Sequence, residues 1–350
     1  MNVGVIVTNY RMIEDGIGDG AAKIYSKLPE GNQVTFYTGY THGESVLKRF
    51  LSLKMSKQIH KCARDIKAGK PFDAIIIEYP FDEYNSQIIP EIRRLRKACD
   101  DNSVLLVIRL HEYFRVRKIR QHWIRKIIKY IDNMIVPDEK TAEFFRTNFN
   151  KHVDIIPIPS NIEVPNDFSF NHKNSNAYCY FGLINKSKAF NEMLEAWKKF
   201  FVSEKNEKLC LHIISSTEID ISEFASYNIF YHYKANDNEI CKIMSECTFG
   251  IIPIIPSVSF NSGSFKTSVS CGEIVLGHFD DSFFNNNFML NIKDYSEASL
   301  IDGLIKTKKI TEKQQETMCL NALEYGKNFN TYGTGKSILS ILNRLTDLNQ

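Results

Sequence analysis

Short apolar runs alternate along the chain with longer stretches in which apolar residues recur every three or four positions. The short runs have the length and the Val/Ile content of buried strands, and the longer stretches have the period of helices with one buried face. This alternation is the pattern of parallel sheets covered by helices. In the first half, strands are expected at 2–8, 33–38, 74–78, 104–110, 133–136 and 154–157. Helices are expected at 20–28, 44–67 (as one or two), 87–99, 115–131 and 139–147. Residues 161–176 hold Pro165, several asparagines and little apolar periodicity, which reads as an interdomain linker. The series then restarts, with strands at 177–181, 209–214, 229–233, 249–254 and 274–276 and helices at 190–201, 236–247, 264–271, 296–306, 312–327 and 333–345. The fold class is therefore α/β, with two Rossmann-like doubly wound domains of similar size, 1–160 and 177–328, facing a central cleft at the carboxyl ends of both sheets.

Composition narrows the class further. At 350 residues, 43% hydrophobic and 24% charged, the chain has ordinary globular values, which argues against disorder and low-complexity scaffolds. The longest near-apolar run, 249–258, contains Pro253 and Pro256 and is too short to cross a bilayer. The first ten residues lack the basic start and cleavage site of a signal peptide, so a cytoplasmic location is expected. Eight cysteines form no CxxC pair and no metal or disulfide spacing, and read as reduced core thiols. The net charge of +3 hides an asymmetry: the basic excess lies in the first half, and arginine is absent from Thr147 to Asn343.

Five places could carry chemistry. The first strand leads into a polar connection ending Glu14-Asp15-Gly16-Ile17-Gly18-Asp19-Gly20, where glycines before a helix permit close backbone approach by a ligand, or simply make a flexible turn. The strand at 104–110 delivers His111-Glu112 at its carboxyl end. There the imidazole could donate to a substrate hydroxyl or instead bond a neighbouring loop. Between Tyr113 and Ile131, seven basic residues (Arg115, Arg117, Lys118, Arg120, Arg125, Lys126, Lys129) face no acid and interleave with Ile119, Trp123, Ile127 and Ile128. Such a stretch suits anionic headgroups or a lipid pyrophosphate, or is a solvated helix face; no nucleic-acid motif accompanies it. Gly182, Asn185 and Lys188 follow the first strand of the second half, where an ammonium before a helix could neutralise a diphosphate. Gly263, Ser264, Phe265 and Thr267 open an apolar helix and make a second candidate anion cradle, with Ser264 alternatively a plain N-cap. Gly333-Thr334-Gly335-Lys336-Ser337 ends like a P-loop, but Asn330 occupies the first glycine position and no strand precedes it.

Taken in order, these segments resemble the GT-B glycosyltransferases, in particular the retaining, family-4-like group. Asp15 to Asp19 is similar to the group's DGIGDYT loop, Leu110-His111-Glu112 to its TLHE strand end, and Ile155-Ile156-Pro157-Ile158 to its VIPIG strand. Phe181-Gly182 through Lys188 to Ala196 resembles FxGRLxxxKGxxxLLEA, and Ser259 to Gly272 resembles the variant SxRRGSLLAALAxG. Residues 329–350 look like the closing helix that crosses back to the first domain. Three departures stand out. Leu183 replaces an arginine, Ala189 replaces a glycine, and the positions of the Glu-x7-Glu pair hold Ser259 and Thr267.

The resemblance implies a glycosyltransferase that takes a sugar from a nucleotide diphosphate sugar, UDP or GDP, with retention and with no metal or other cofactor. Lys188 and amides near Ser264 and Phe265 would hold the diphosphate, Thr267 would lie near the ribose and His111 would bond the transferred sugar. Asp15, Gly16, Gly18, Asp19 and Glu112 would border a glycan or lipid-linked saccharide acceptor. Lys186 and Lys266 stand as substitutes for the arginine replaced by Leu183 and for the variant motif's arginine pair, whose positions hold Asn261 and Ser262. Surface polysaccharide assembly on the inner face of a membrane fits this set. A catalytically weakened or inactive GT-B protein that binds glycans or partners is the alternative, and a hydrolase or epimerase on the same scaffold is a third reading.

Overall fold

Two six-stranded parallel sheets organise the protein. The computed structural model describes residues 1–8, 16–39, 48, 52–81, 87–162, 170–280 and 286–348. The chain divides into two compact units, Met1–Ile158 together with Thr331–Gln350, and Pro159–Asn330.

The first unit runs β1 (Asn2–Val7), α1 (Gly16–Tyr25), β2 (Gln33–Thr38), α2 (Lys54–Lys67), β3 (Ala74–Tyr79), α3 (Ile88–Asp101), β4 (Leu105–Leu110), α4 (Lys118–Ile127), β5 (Asn133–Val136), α5 (Glu139–Phe149) and β6 (Val153–Ile155). Its strands lie in the order β2-β1-β3-β4-β5-β6, so the chain reverses direction across the sheet between β1 and β3. Alternation along β3 explains the two cores. Ile75, Ile77 and Tyr79 pack with α2 and α3, while Ala74 and Ile76 face α1 and the C-terminal helix α11 (Thr331–Leu348). Ile338 and Leu342 of α11 complete that second core.

The second unit runs β7 (Asn174–Phe181), α6 (Phe190–Glu204), β8 (Cys210–Ser215), β9 (Ile229–Tyr233), α7 (Asp237–Glu246), β10 (Cys247–Ile251), α8 (Gly263–Ser270), β11 (Ile274–Gly277), β12 (Met289–Asn291), α9 (Glu297–Lys308) and α10 (Glu312–Gly326). Its sheet order is β12-β11-β10-β7-β8-β9, the doubly wound order in which successive strands build outward from the centre on both sides. Trp197 of α6 is fully buried, and its indole N–H donates to Tyr227 O at 2.9 Å.

Several expectations need correction. The first helix begins at Gly16, not Gly20, and Gly18, Gly20, Ala21 and Ala22 are buried in it. These glycines therefore belong to a helix and not to a loop. The expected linker is in part structured. Residues 163–169 lie outside the described set, but a 3-10 turn spans Phe170–His172 and β7 already begins at Asn174. Lys173 fixes this junction through donation from its ammonium to Cys247 O (2.6 Å), Cys271 O (2.7 Å) and Met244 O (3.2 Å). β12 is only three residues long, too short for a strand period to register in the sequence.

Candidate functional site

The reversal of strand order in the second unit falls between β7 and β10. Loops leaving neighbouring strands at such a point run in opposite directions and leave a crevice at the strands' carboxyl ends. Two loops meet there. The one after β7 carries Gly182 to Ala189, and the one after β10 leads to α8. They are tied together: Lys188 bridges Ile254, Ala189 N donates to Pro253 O at 2.8 Å, and Ile255 N donates to Ser187 O at 2.9 Å. Gly182 has φ +139, and a Cβ built on it would lie 2.8 Å from Ser264 Oγ. The positive φ is what calls for glycine, and its Cα faces the Ser264 side chain on the first turn of α8.

Within the loop after β7, Asn185 makes an Asx turn. Its Oδ1 accepts from Ser187 N at 2.9 Å and Ser187 Oγ at 2.6 Å, while its carbonyl accepts from Lys188 N at 2.9 Å. The turn fixes the position of Lys188. That lysine is half-buried, and among the described residues no carboxylate pairs with it. Burial pushes its ammonium down to about 8. A cation of this kind is poised for an anionic ligand, which would relieve the cost of its desolvation.

At α8 the N-cap is Ser262, whose Oγ accepts from Phe265 N at 3.2 Å, and Lys266 N donates to Ser262 O. Ser264 is thus not the cap. The amides of Gly263 and Ser264 find no acceptor among the described residues, whereas the Phe265 amide is already used. Phe265, Lys266 and Thr267 are inaccessible to water. The Lys266 ammonium lies over the rings of Phe260 and Phe329 at 4.8 and 4.9 Å, and Thr267 Oγ1 lies 3.2 Å from Ser160 Oγ. Neither side chain lines the crevice. Lys186 is exposed.

In the first unit, His111 belongs to a network that sequence reasoning missed. Glu78 of β3 is fully buried and faces Arg109, its register partner on β4, at 3.3 Å. It also accepts from Tyr25 Oη at 2.5 Å and meets His111 Nε2 at 2.5 Å. Burial alone would raise the Glu78 carboxyl. Arg109, His111 and Tyr25 outweigh it and hold the group down to about 2. A carboxylate only accepts, so His111 Nε2 carries a proton, and Nδ1 is an acceptor unless the ring is charged. Donation from Nδ1 to a ligand therefore requires a second proton on the ring. The signal was present in the sequence: Glu78 and Arg109 are lone charges near the ends of otherwise apolar strands, with His111 two residues further on the same face.

The remaining candidates sit on α1 and after β4. Asp19 pairs with Lys23 at 3.0 Å, Gly16 and Gly18 form the first turn of α1, and Asp15 lies outside the described residues. Glu112 is partly buried, and burial raises its carboxyl against the opposing pull of Arg115 and Arg120. Of the basic residues, Arg115, Arg117, Lys118, Arg125, Lys126 and Lys129 are exposed, together with Phe114 (43%) and Ile119 (50%). Ile124, Ile127 and Ile128 turn into the core.

No family model matches the sequence, and no curated protein matches it. Solved structures do match. The E. coli trehalose-6-phosphate structure bound with UDP-2-fluoro glucose aligns with TM-score 0.61 at 10% identity, covering 98% of this chain and 99% of that one. A Listeria monocytogenes protein assigned as a UDP-N-acetylglucosamine 2-epimerase aligns with TM-score 0.65 at 10% identity over 99% and 96% of the two chains. The pneumococcal O-GlcNAc transferase GtfA, in complex with UDP and GlcNAc, aligns with TM-score 0.58 at 13% identity over 81% of this chain and 59% of GtfA. The fold is GT-B. At these identities the likeness extends to architecture and not to activity.

The Glu78 network makes a prediction about pH. Its depressed carboxyl adds stability that is fully present above pH 4.5 and is lost as pH falls toward 2. Glu78→Gln leaves Arg109 buried without its counter-charge and is expected to cost about 3–5 kcal/mol at pH 7. It should also flatten the acid limb of stability in urea titrations between pH 5 and 3. An unchanged acid limb would remove Glu78 from this role.

Proposed function

We propose that the protein is a glycosyltransferase that takes a sugar from a UDP-sugar and transfers it to a glycan or lipid-linked saccharide, as in surface polysaccharide assembly. The observation that carries this reading is Lys188. It is a half-buried ammonium with no carboxylate partner among the described residues, fixed by an Asx turn at the β7/β10 reversal. The diphosphate would rest on Lys188 and on the amides of Gly263 and Ser264, with Gly182 giving the close approach. As the sugar leaves, negative charge grows on the diphosphate. A fixed cation and helix amides stabilise that charge more than the ground state, which lowers the barrier.

UDP is favoured over GDP because UDP or a UDP-sugar is named with three of the matching structures. Sugar and acceptor recognition fall to the first unit in this reading. His111, with its ring fixed by Glu78, serves the sugar, and Asp19 and Glu112 serve the acceptor. Transfer with retention and without a metal belongs to the same proposal. The basic surface around α4, with Phe114 and Ile119 exposed among cations, suits the headgroup layer of an anionic membrane.

One observation favours a second reading. Ser259 and Thr267 leave both positions of the Glu-x7-Glu pair without a carboxylate, and Thr267 is buried. A GT-B protein that binds nucleotide sugar or glycan without transferring it fits that loss.

Nucleotide binding tests the proposal. UDP at millimolar concentration is expected to raise the thermal midpoint by a few degrees, more than GDP, ADP, TDP or CMP. Lys188→Ala should weaken UDP by about 10–100-fold, the value of one charge-assisted hydrogen bond. Because the free lysine titrates near 8, UDP affinity should fall as pH rises through 8 in the wild type and stay flat in Lys188→Ala. Equal binding by the two proteins would remove Lys188 from the site. UDP binding without release of sugar to any acceptor would favour the second reading.

The membrane surface is tested with vesicles. Binding to phosphatidylglycerol vesicles, and not to phosphatidylcholine, is expected. Lys118→Glu with Lys126→Glu should weaken it by well over tenfold at low salt, at about 1 kcal/mol per cation removed and more for reversal. Equal partition of wild type and variant would contradict the assignment.

A further inference from the structure

The second unit buries a group of ligand-forming side chains that the donor site does not use. Cys179 of β7, Cys247 at the start of β10 and Glu273 just before β11 each offer a ligand atom, and these atoms lie within 4.8 Å of one another. All three residues are buried. We propose that Cys179, Cys247 and Glu273 form a structural Zn²⁺ site beneath the second sheet.

Three observations carry this. First, Glu273 is fully inaccessible, and although Ser268 and Cys179 lie beside its carboxyl and act on it, neither carboxylate oxygen has a hydrogen bond of normal geometry. A buried carboxyl without a partner costs several kcal/mol, and a cation at that point supplies the missing interaction. Second, the backbone makes room for the carboxylate. Gly250 is the register partner of Cys179, and a Cβ there would lie 2.4 Å from Glu273 Oε2. Third, the pairing of β7 with β10 shifts register between Cys247 and Phe249. With regular alternation, Cys247 would share a face with Phe249, which packs in the core under α6. It packs instead with Cys179, Cys241 and Cys271. Register irregularities re-aim side chains in this way.

The chemistry fits the metal. In a tetrahedral zinc site with Zn–S of about 2.3 Å and Zn–O of about 2.1 Å, ligand atoms stand roughly 3.5–3.8 Å apart. Small side-chain rotations reach that spacing from the one observed. Two thiolates and a carboxylate around Zn²⁺ carry one net negative charge. The Lys173 ammonium, anchored on the carbonyls of Met244, Cys247 and Cys271 and close enough to act on Glu273, balances it. Cys271 belongs to the same buried cluster, but its thiol faces Cys241 and stands outside the three-ligand group. Spacings of 68 and 26 residues between the ligands hide the site from any local motif, because three separate strands bring them together.

The test uses the full chain, unfolded in chelator and reductant and refolded with Zn²⁺, with Co²⁺ or with neither. The site predicts one tightly held zinc per chain, a higher thermal midpoint with zinc, and thiolate-to-cobalt charge-transfer absorption with cobalt. Cys247→Ser should abolish the charge-transfer band or reduce it by half. Glu273→Gln, which keeps the shape of the side chain and so guards against a folding failure, should weaken zinc by at least about tenfold. Absence of both stoichiometric zinc and the cobalt band would overturn the site. So would equal zinc binding by wild type and Glu273→Gln.

Discussion

The reversal of strand order between β7 and β10 is the constraint on which the candidate site depends. Each parallel strand must be followed by a crossover, and at the reversal the two crossovers leave in opposite directions. The sheet therefore cannot cover its own carboxyl edge there. The chain uses the gap: one loop supplies Gly182, whose positive φ calls for glycine, beside Ser264, and the same loop supplies a lysine locked by Asn185. The other loop supplies the open amides of α8. Bonds between the loops, through Ala189, Pro253, Ser187 and Ile255, make them one rigid element. A site of this kind is preorganised, so little ordering is left to be done when an anion arrives.

The two units handle buried charge differently. In the first, Glu78 is surrounded by donors, Arg109, His111 and Tyr25, and its carboxyl is held low. The network fixes one imidazole nitrogen and leaves the other as the variable group. In the second, Glu273 sits among thiols, with Lys173 turned to backbone carbonyls, and burial raises its carboxyl to about 8. Both acids are fully buried on or beside interior strands, and their partners set them apart.

Much of the architecture was legible because strands such as 33–38, 133–136 and 229–233 combine Val, Ile and aromatic runs with turn residues at both ends, and their limits coincide with those observed. Errors arose where a local preference was overruled by packing. Gly16 to Gly20 looked like a loop because glycine disfavours helices, but these residues form the start of α1, where Gly18 and Gly20 are buried. Lys266 was expected to substitute for an arginine at the diphosphate, and its ammonium instead lies buried over the rings of Phe260 and Phe329. Lys188 and Gly182 could be picked out from their place after a strand. Glu78, Arg109 and Glu273 could not be assigned partners from sequence alone, since those partners are defined by register between strands.

Amide hydrogen exchange of the full chain, with and without UDP, tests the central claim most directly. The account predicts slowed exchange in 182–189 and 252–264, strongest at Gly263 and Ser264, and loss of that protection in Lys188→Ala. Saturating UDP that leaves these two loops unchanged, or that protects segments of the first unit alone, would contradict it.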